Sequence, residues 1–178
     1  MATDAEVVTL QLLDAWNARD LDRYVAMLSE DVEWYDPAMP QPPARGRAAV
    51  QAFSESVLRA FPDFSYEVLG PICVSADGTH SAVHWRITAT HTAPLSPPGY
   101  APTGRTMRQE GIDLLEIRGG RVARILTCFD AIAAAEQVMG VTLRAAPGSL
   151  RERLIVFVQR LVATWARRQA RAGNRSER

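Results

Sequence analysis

The sequence of 178 residues contains no lysine, and all twenty of its basic residues are arginine. Schiff-base catalysis, a lysine general base and the lysine of a phosphate-binding loop are therefore excluded. There is no Gly-x-Gly-x-x-Gly stretch for a dinucleotide and no Gly-x-Ser-x-Gly elbow for a serine hydrolase. Cysteine is scarce: Cys73 and Cys128 lie far apart in apolar, strand-like segments and are expected to be reduced and buried. No Cys/His spacing resembles a zinc site, and His80, His84 and His91 crowd one strand whose alternate residues face opposite ways, so no metal is expected. Net charge is lacking too, at +0, whereas a nucleic-acid binder needs a basic surface. No apolar run approaches the ~18 residues of a membrane span. The acidic N-terminus lacks the layout of a signal peptide, and a cytoplasmic protein is expected.

What is present is a core: 47% of residues are hydrophobic. Thr3-x-x-Glu6 is a capping box for a first helix reaching Arg19, and Asp20 reads as the N-cap of a second. Val32 to Asp36 reads as a strand stopped by Pro37, and a helix follows from Arg47 to Phe61. Next come Phe64 to Ser75, an Asp77-Gly78 hairpin turn, Ser81 to Thr92, Thr106 to Ile117, a Gly119-Gly120 turn and Arg121 to Asp130. A helix from Ala131 to Met139 ends at Gly140. Helices followed by a meander of long strands predict an α+β fold. Its sheet is a cone-shaped, curved, largely antiparallel (mixed) one wrapped around the N-terminal helices, leaving an apolar pocket at its mouth. This domain is expected to span residues 1–142. Residues 143–178 should form a linker, a basic amphipathic helix opened by the capping box Ser149-x-x-Glu152, and a tail disordered from about Ala172. The apolar stripe of that helix fits packing on its own domain or on a twin subunit, with a membrane surface as the alternative.

Three carboxylates have apolar company. Asp36 shares a strand face with Trp34, Asp113 shares one with Leu115 and Ile117, and Asp130 shares one with Leu126 and Cys128. A carboxylate on an apolar face is costly unless paired or protonated, and burial raises its pKa towards the working range of a general acid or base. Asp36, Asp113 and Asp130 are thus the candidate catalytic groups, with capping as the structural alternative for Asp36 and Asp130. His91, on the face of Trp85, is a fourth. Trp16, Trp34, Phe53, Trp85 and Leu126 are the candidate substrate contacts.

Ala15 to Asp22 followed by Val32 to Pro37 resembles the opening of the nuclear-transport-factor-like superfamily. Pro102 to Arg105, Gly111-Ile112-Asp113, Gly119 to Val122, Asp130 and Gln137 to Gly140 resemble the SnoaL-like polyketide cyclases, over roughly residues 5 to 142. The resemblance implies an acid–base catalyst at Asp130, a position also acidic in limonene epoxide hydrolase. By similarity to ketosteroid isomerase it implies a general base at Asp36 and a protonated oxyanion donor at Asp113. The isomerase's oxyanion tyrosine falls on Leu12, and a tryptophan common in SnoaL-like proteins falls on Leu126. The helix after Ser149 is an addition. These features imply a cofactor-independent cyclase on a small apolar polyketide-type intermediate, acting as a homodimer. An epoxide hydrolase and a non-catalytic binding or assembly module are the alternatives.

Overall fold

Asp20 ends one helix and begins another. The computed structural model describes residues 4–96 and 98–176, with side chains up to residue 167; the Thr3 capping position lies outside it. Helix α1 (Asp4–Asn17) buries Ala5, Thr9, Leu12, Leu13 and Trp16, which recur at helical spacing. The Asp20 carboxylate accepts from the Arg23 N–H and caps α2 (Leu21–Ala26). Strand β1 (Leu28–Tyr35) starts four residues before Val32, and the proline-rich loop after it holds the two-residue strand β2 (Ala44–Arg45), paired on β1. Helix α3 (Gly46–Ala60) turns Val50, Ser54 and Ala60 inward and ends before Pro62.

The stretch from Phe64 to Ser75 is two strands, β3 (Ser65–Val68) and β4 (Cys73–Val74), both paired with β5 (His80–Thr90). Gly70 has φ +112° and Pro71 offers no N–H, so the ladder breaks between them. Strands β6 (Thr106–Arg118) and β7 (Arg121–Phe129) form the long hairpin, and α4 (Ala131–Met139) follows, closed by Gly140 in the left-handed region. The sheet order is β2-β1-β7-β6-β5-β3; β1 and β7 are parallel and every other pair is antiparallel, so the sheet is mixed, open and curved. Helix α1 is pinned to it where Thr9, donating to the Ala5 carbonyl, accepts from the Ser81 hydroxyl at 2.6 Å.

A bulge decides which side chains of β7 point inward. Ile117 pairs with Val122 but Glu116 pairs with Arg124, leaving Ala123 unpaired. Val122 and Ala123 are both buried, after which Ile125, Thr127 and Phe129 face in while Arg124, Leu126 and Cys128 face out. Cys128 is therefore exposed, as is Cys73, where burial was expected.

The chain divides into two compact units, Met1–Val141 and Thr142–Arg178. In the second, α5 (Leu150–Ser176) runs past Ala172, its sequence rich in arginine and alanine, which favour helix. The Ser149 hydroxyl accepts from the Glu152 N–H, and the Glu152 carboxylate reaches back to the Gly148 N–H rather than to that of Ser149. The apolar side chains of α5 are exposed.

Candidate active site

The inner face of the sheet, α1, α3 and α4 enclose one cavity of about 1110 Å³ in the first unit. That is above the range typical of drug-sized ligands. Its wall is an aromatic chain. Trp16 meets Tyr24, Trp34, Phe64 and Tyr66 at ring-centroid distances of 5.3, 5.9, 5.4 and 6.0 Å, all edge-on. Phe53 continues it from Trp34, while Trp85 and Phe129 continue it from Tyr66. Each such pair contributes roughly 0.5–1.5 kcal/mol beyond burial, so the wall is rigid.

Asp36 follows the end of β1 and lines this cavity, only 9% exposed. One carboxylate oxygen accepts from the Ala38 N–H at 2.7 Å, as an Asx turn at Pro37 dictates. Desolvation dominates over that bond and pushes its pKa up to about 6.

Asp113, on β6, lies behind the wall rather than in it, buried between Trp85 and Thr127, which do line the cavity. The Trp34 indole N–H donates to the Thr127 hydroxyl at 2.9 Å, and that hydroxyl lies close enough to Asp113, its neighbour across the β6–β7 ladder, to lower the Asp113 pKa. Burial pushes the Asp113 pKa up to about 7; Thr127 and Trp85 oppose it, and the charge of Asp36 adds to it. Trp85 Nε1 is close enough to lower this pKa, yet neither it nor Asp113 Oδ1 has a hydrogen bond of full geometry. Trp85 sits where it does because its pair across the ladder is Gly111: a Cβ there would meet the Trp85 ring at 2.4 Å and the Cys128 carbonyl at 2.6 Å.

His91 follows β5 and lines the cavity, buried and stacked on Phe61 at 5.1 Å. Burial lowers its pKa, so the ring is neutral at pH 7, and its Nε2 has no partner. Thr103, which lies 3.4 Å from His91 Nδ1, donates to the Val138 carbonyl, and Arg105 donates to that of Gln137; the loop before β6 is thereby tied to the end of α4. Among the described residues, no three His, Cys, Asp or Glu side chains are grouped so as to hold a metal.

The structure thus brings Asp36, His91, Trp16, Trp34, Phe53 and Trp85 to one cavity, with Asp113 in the layer behind. Asp130 and Leu126 are not part of its lining. Leu126 faces outward on β7, and Asp130 is exposed, its carboxylate accepting from the Ala133 N–H as the N-cap of α4. Sequence reasoning missed Tyr24, Tyr66 and Thr127. Tyr24 is buried and Tyr66 partly buried, and desolvation followed by the Asp113 charge raises both pKa values, so the phenols stay protonated.

The fold has relatives. A candidate polyketide cyclase from Pseudomonas putida KT2440 superimposes with TM-score 0.66 at 23% identity, covering 78% of this chain and 99% of its own. A candidate SnoaL-like polyketide cyclase from Jannaschia sp. CCS1 gives 0.68 at 19%, covering 78% and 93%. IdmH of Streptomyces antibioticus, another candidate polyketide cyclase, gives 0.61 at 23%, covering 77% and 99%. No curated protein sequence matches the chain. At these identities the superpositions speak for the fold, but the sequence profile of the SnoaL-like domain matches residues 9–125, from α1 into β7. With two thirds of its length accounted for in this way, the chain belongs to the SnoaL-like domain family.

Proposed function

We propose that the protein is an acid–base cyclase that closes a ring in a small apolar polyketide-type intermediate without a cofactor. The observation that carries this reading is a pair of buried carboxyl groups with pKa values of about 6 and about 7, at and just behind the wall of an aromatic cavity. At pH 7 Asp36 is mostly ionised and can take a proton from a C–H acidified by two flanking carbonyls. Asp113, about half protonated and one layer behind the wall, acts on the developing oxyanion through the Thr127 hydroxyl, which lines the cavity. The cavity volume, the cyclase relatives and the family membership support this substrate class. Asp130, capping α4 outside the cavity, is assigned to that cap.

The test is turnover of a linear or partly cyclised polyketide-type substrate, followed by product mass. Asp36→Asn is expected to lower kcat by at least ~10²-fold with the fold intact, the loss typical of a general base. In ¹⁸O-water a cyclase product carries no solvent oxygen, whereas an epoxide hydrolase product does. Full activity of Asp36→Asn would remove Asp36 from the chemistry.

A further inference from the structure

Helix α5 has no place in the cavity chemistry, and its surface is unusual. Leu150, Leu154, Phe157, Leu161 and Trp165 are 82%, 61%, 59%, 55% and 63% exposed. At ~100° per residue these five fall within an arc of about 80°, and Ile155, Val158 and Val162 widen it to nearly half the helix. Arg153, Arg160 and Arg167, spaced by sevens, run along the other side. Charge is partitioned in the same way along the chain. Residues 149–178 hold eight arginines and two acidic residues, and residues 1–148 hold twelve arginines and eighteen acidic residues.

Three occupants of the apolar arc can be weighed. A second copy of the helix would cover only part of an arc wider than a coiled-coil seam and would leave the arginines without partners. A nucleic acid would use the arginines and leave the apolar arc in water. A bilayer surface uses both, since Leu, Phe and Trp enter the acyl boundary while arginines reach anionic phosphates. Among the described residues no helix is long and apolar enough to cross a membrane, so the helix would lie along the surface. We infer that α5 is an interfacial helix that docks the protein on an anionic lipid bilayer, apolar arc down and arginines on the headgroups. The acidic remainder of the chain is repelled by the same surface, which leaves α5 as the contact. This inference stands independently of the cyclase reading.

Full-length protein is sedimented with phosphatidylcholine vesicles with and without about 30 mol% phosphatidylglycerol, an anionic content at which surface arginines are strongly attracted. The expected result is at least ~10-fold tighter binding to the anionic vesicles, weakened by salt. Arg153→Glu/Arg160→Glu/Arg167→Glu should abolish the preference, and Leu161→Ser/Trp165→Ser should abolish binding. All five positions are exposed, so the near-UV dichroism of the first unit should be unchanged in both variants. Absence of vesicle binding overturns the inference, as does equal binding to neutral and anionic vesicles. So does undiminished binding of Leu161→Ser/Trp165→Ser, which marks a plain electrostatic patch. A lipid-free dimer in light scattering that the same double variant dissociates overturns it in favour of a second copy as the occupant.

Discussion

In the proposed reaction Asp36 and Asp113 stand on opposite sides of the same proton exchange. The rate should rise as Asp36 ionises near pH 6 and fall as Asp113 loses its proton near pH 7, giving a narrow bell in kcat against pH. Thr127 is the lever on the upper limb. Its hydroxyl lowers the Asp113 pKa, so Thr127→Val should let that pKa climb and move the alkaline limb up by about one pH unit, as loss of a hydrogen bond to a carboxylate does. A pH–rate profile that does not move would separate Asp113 from the rate. Asp130 is the control. Its carboxylate caps α4, so Asp130→Ala should cost about 1 kcal/mol in urea unfolding, whereas Asp130→Ser should restore most of that. Both should keep kcat within a few-fold, and a large kcat loss in the stable Ser variant would return Asp130 to the chemistry.

The β5–β6 hairpin is the element that sets the geometry behind the wall. Gly111 is its tightest point, because a methyl group there meets both the Trp85 ring and the β7 backbone. Gly111→Ala should therefore destabilise by about 1–3 kcal/mol, as overpacking does, and push Trp85 off Asp113. Urea midpoints and the near-UV tryptophan signal would report it, and an unchanged midpoint would contradict the packing. Most elements were legible in the chain itself. The Asp77-Gly78 and Gly119-Gly120 turns, the cap at Asp20 and the helix from Ala131 to Met139 stand where local chemistry puts them. Strict alternation through the β6–β7 hairpin failed at one residue. Counted back from the Gly119-Gly120 turn, the partner of Asp113 is Leu126, but the unpaired Ala123 advances the register by one and delivers Thr127 instead. The same slip places Leu126 and Asp130 off the cavity and opens Cys128 to solvent. Nothing local in Arg121-Val122-Ala123-Arg124 announces a bulge, whereas Asp36, Trp34, Trp16 and Phe53 precede it and were read from intact periods.

At the scale of the molecule, the buried acids oppose stability. Both fold with pKa values raised from 3.8, so between about pH 4 and pH 7 the folded chain holds protons that the unfolded chain has released, and stability falls as pH rises. Below pH 4 both states are protonated and the penalty vanishes. Asp113→Asn should remove most of its share, on the order of a few kcal/mol at pH 8 and little at pH 4. Calorimetry at the two pH values would show Tm gained at pH 8 alone, and an equal gain at both would mean that ionisation is not the cost. The bulge at Ala123 has a consequence on this scale. It sets the reading frame for the half of β7 beyond it: deleting Ala123 would keep Ile117 on Val122 and Glu116 on Arg124 and leave Thr127 and Phe129 on the concave side, whereas drawing Ala123 into the ladder would exchange them for Leu126 and Cys128. One sequence thus carries two alternative linings, a hydroxyl-and-aromatic one and a thiol-bearing one, and the choice between them rests on whether a single alanine is paired.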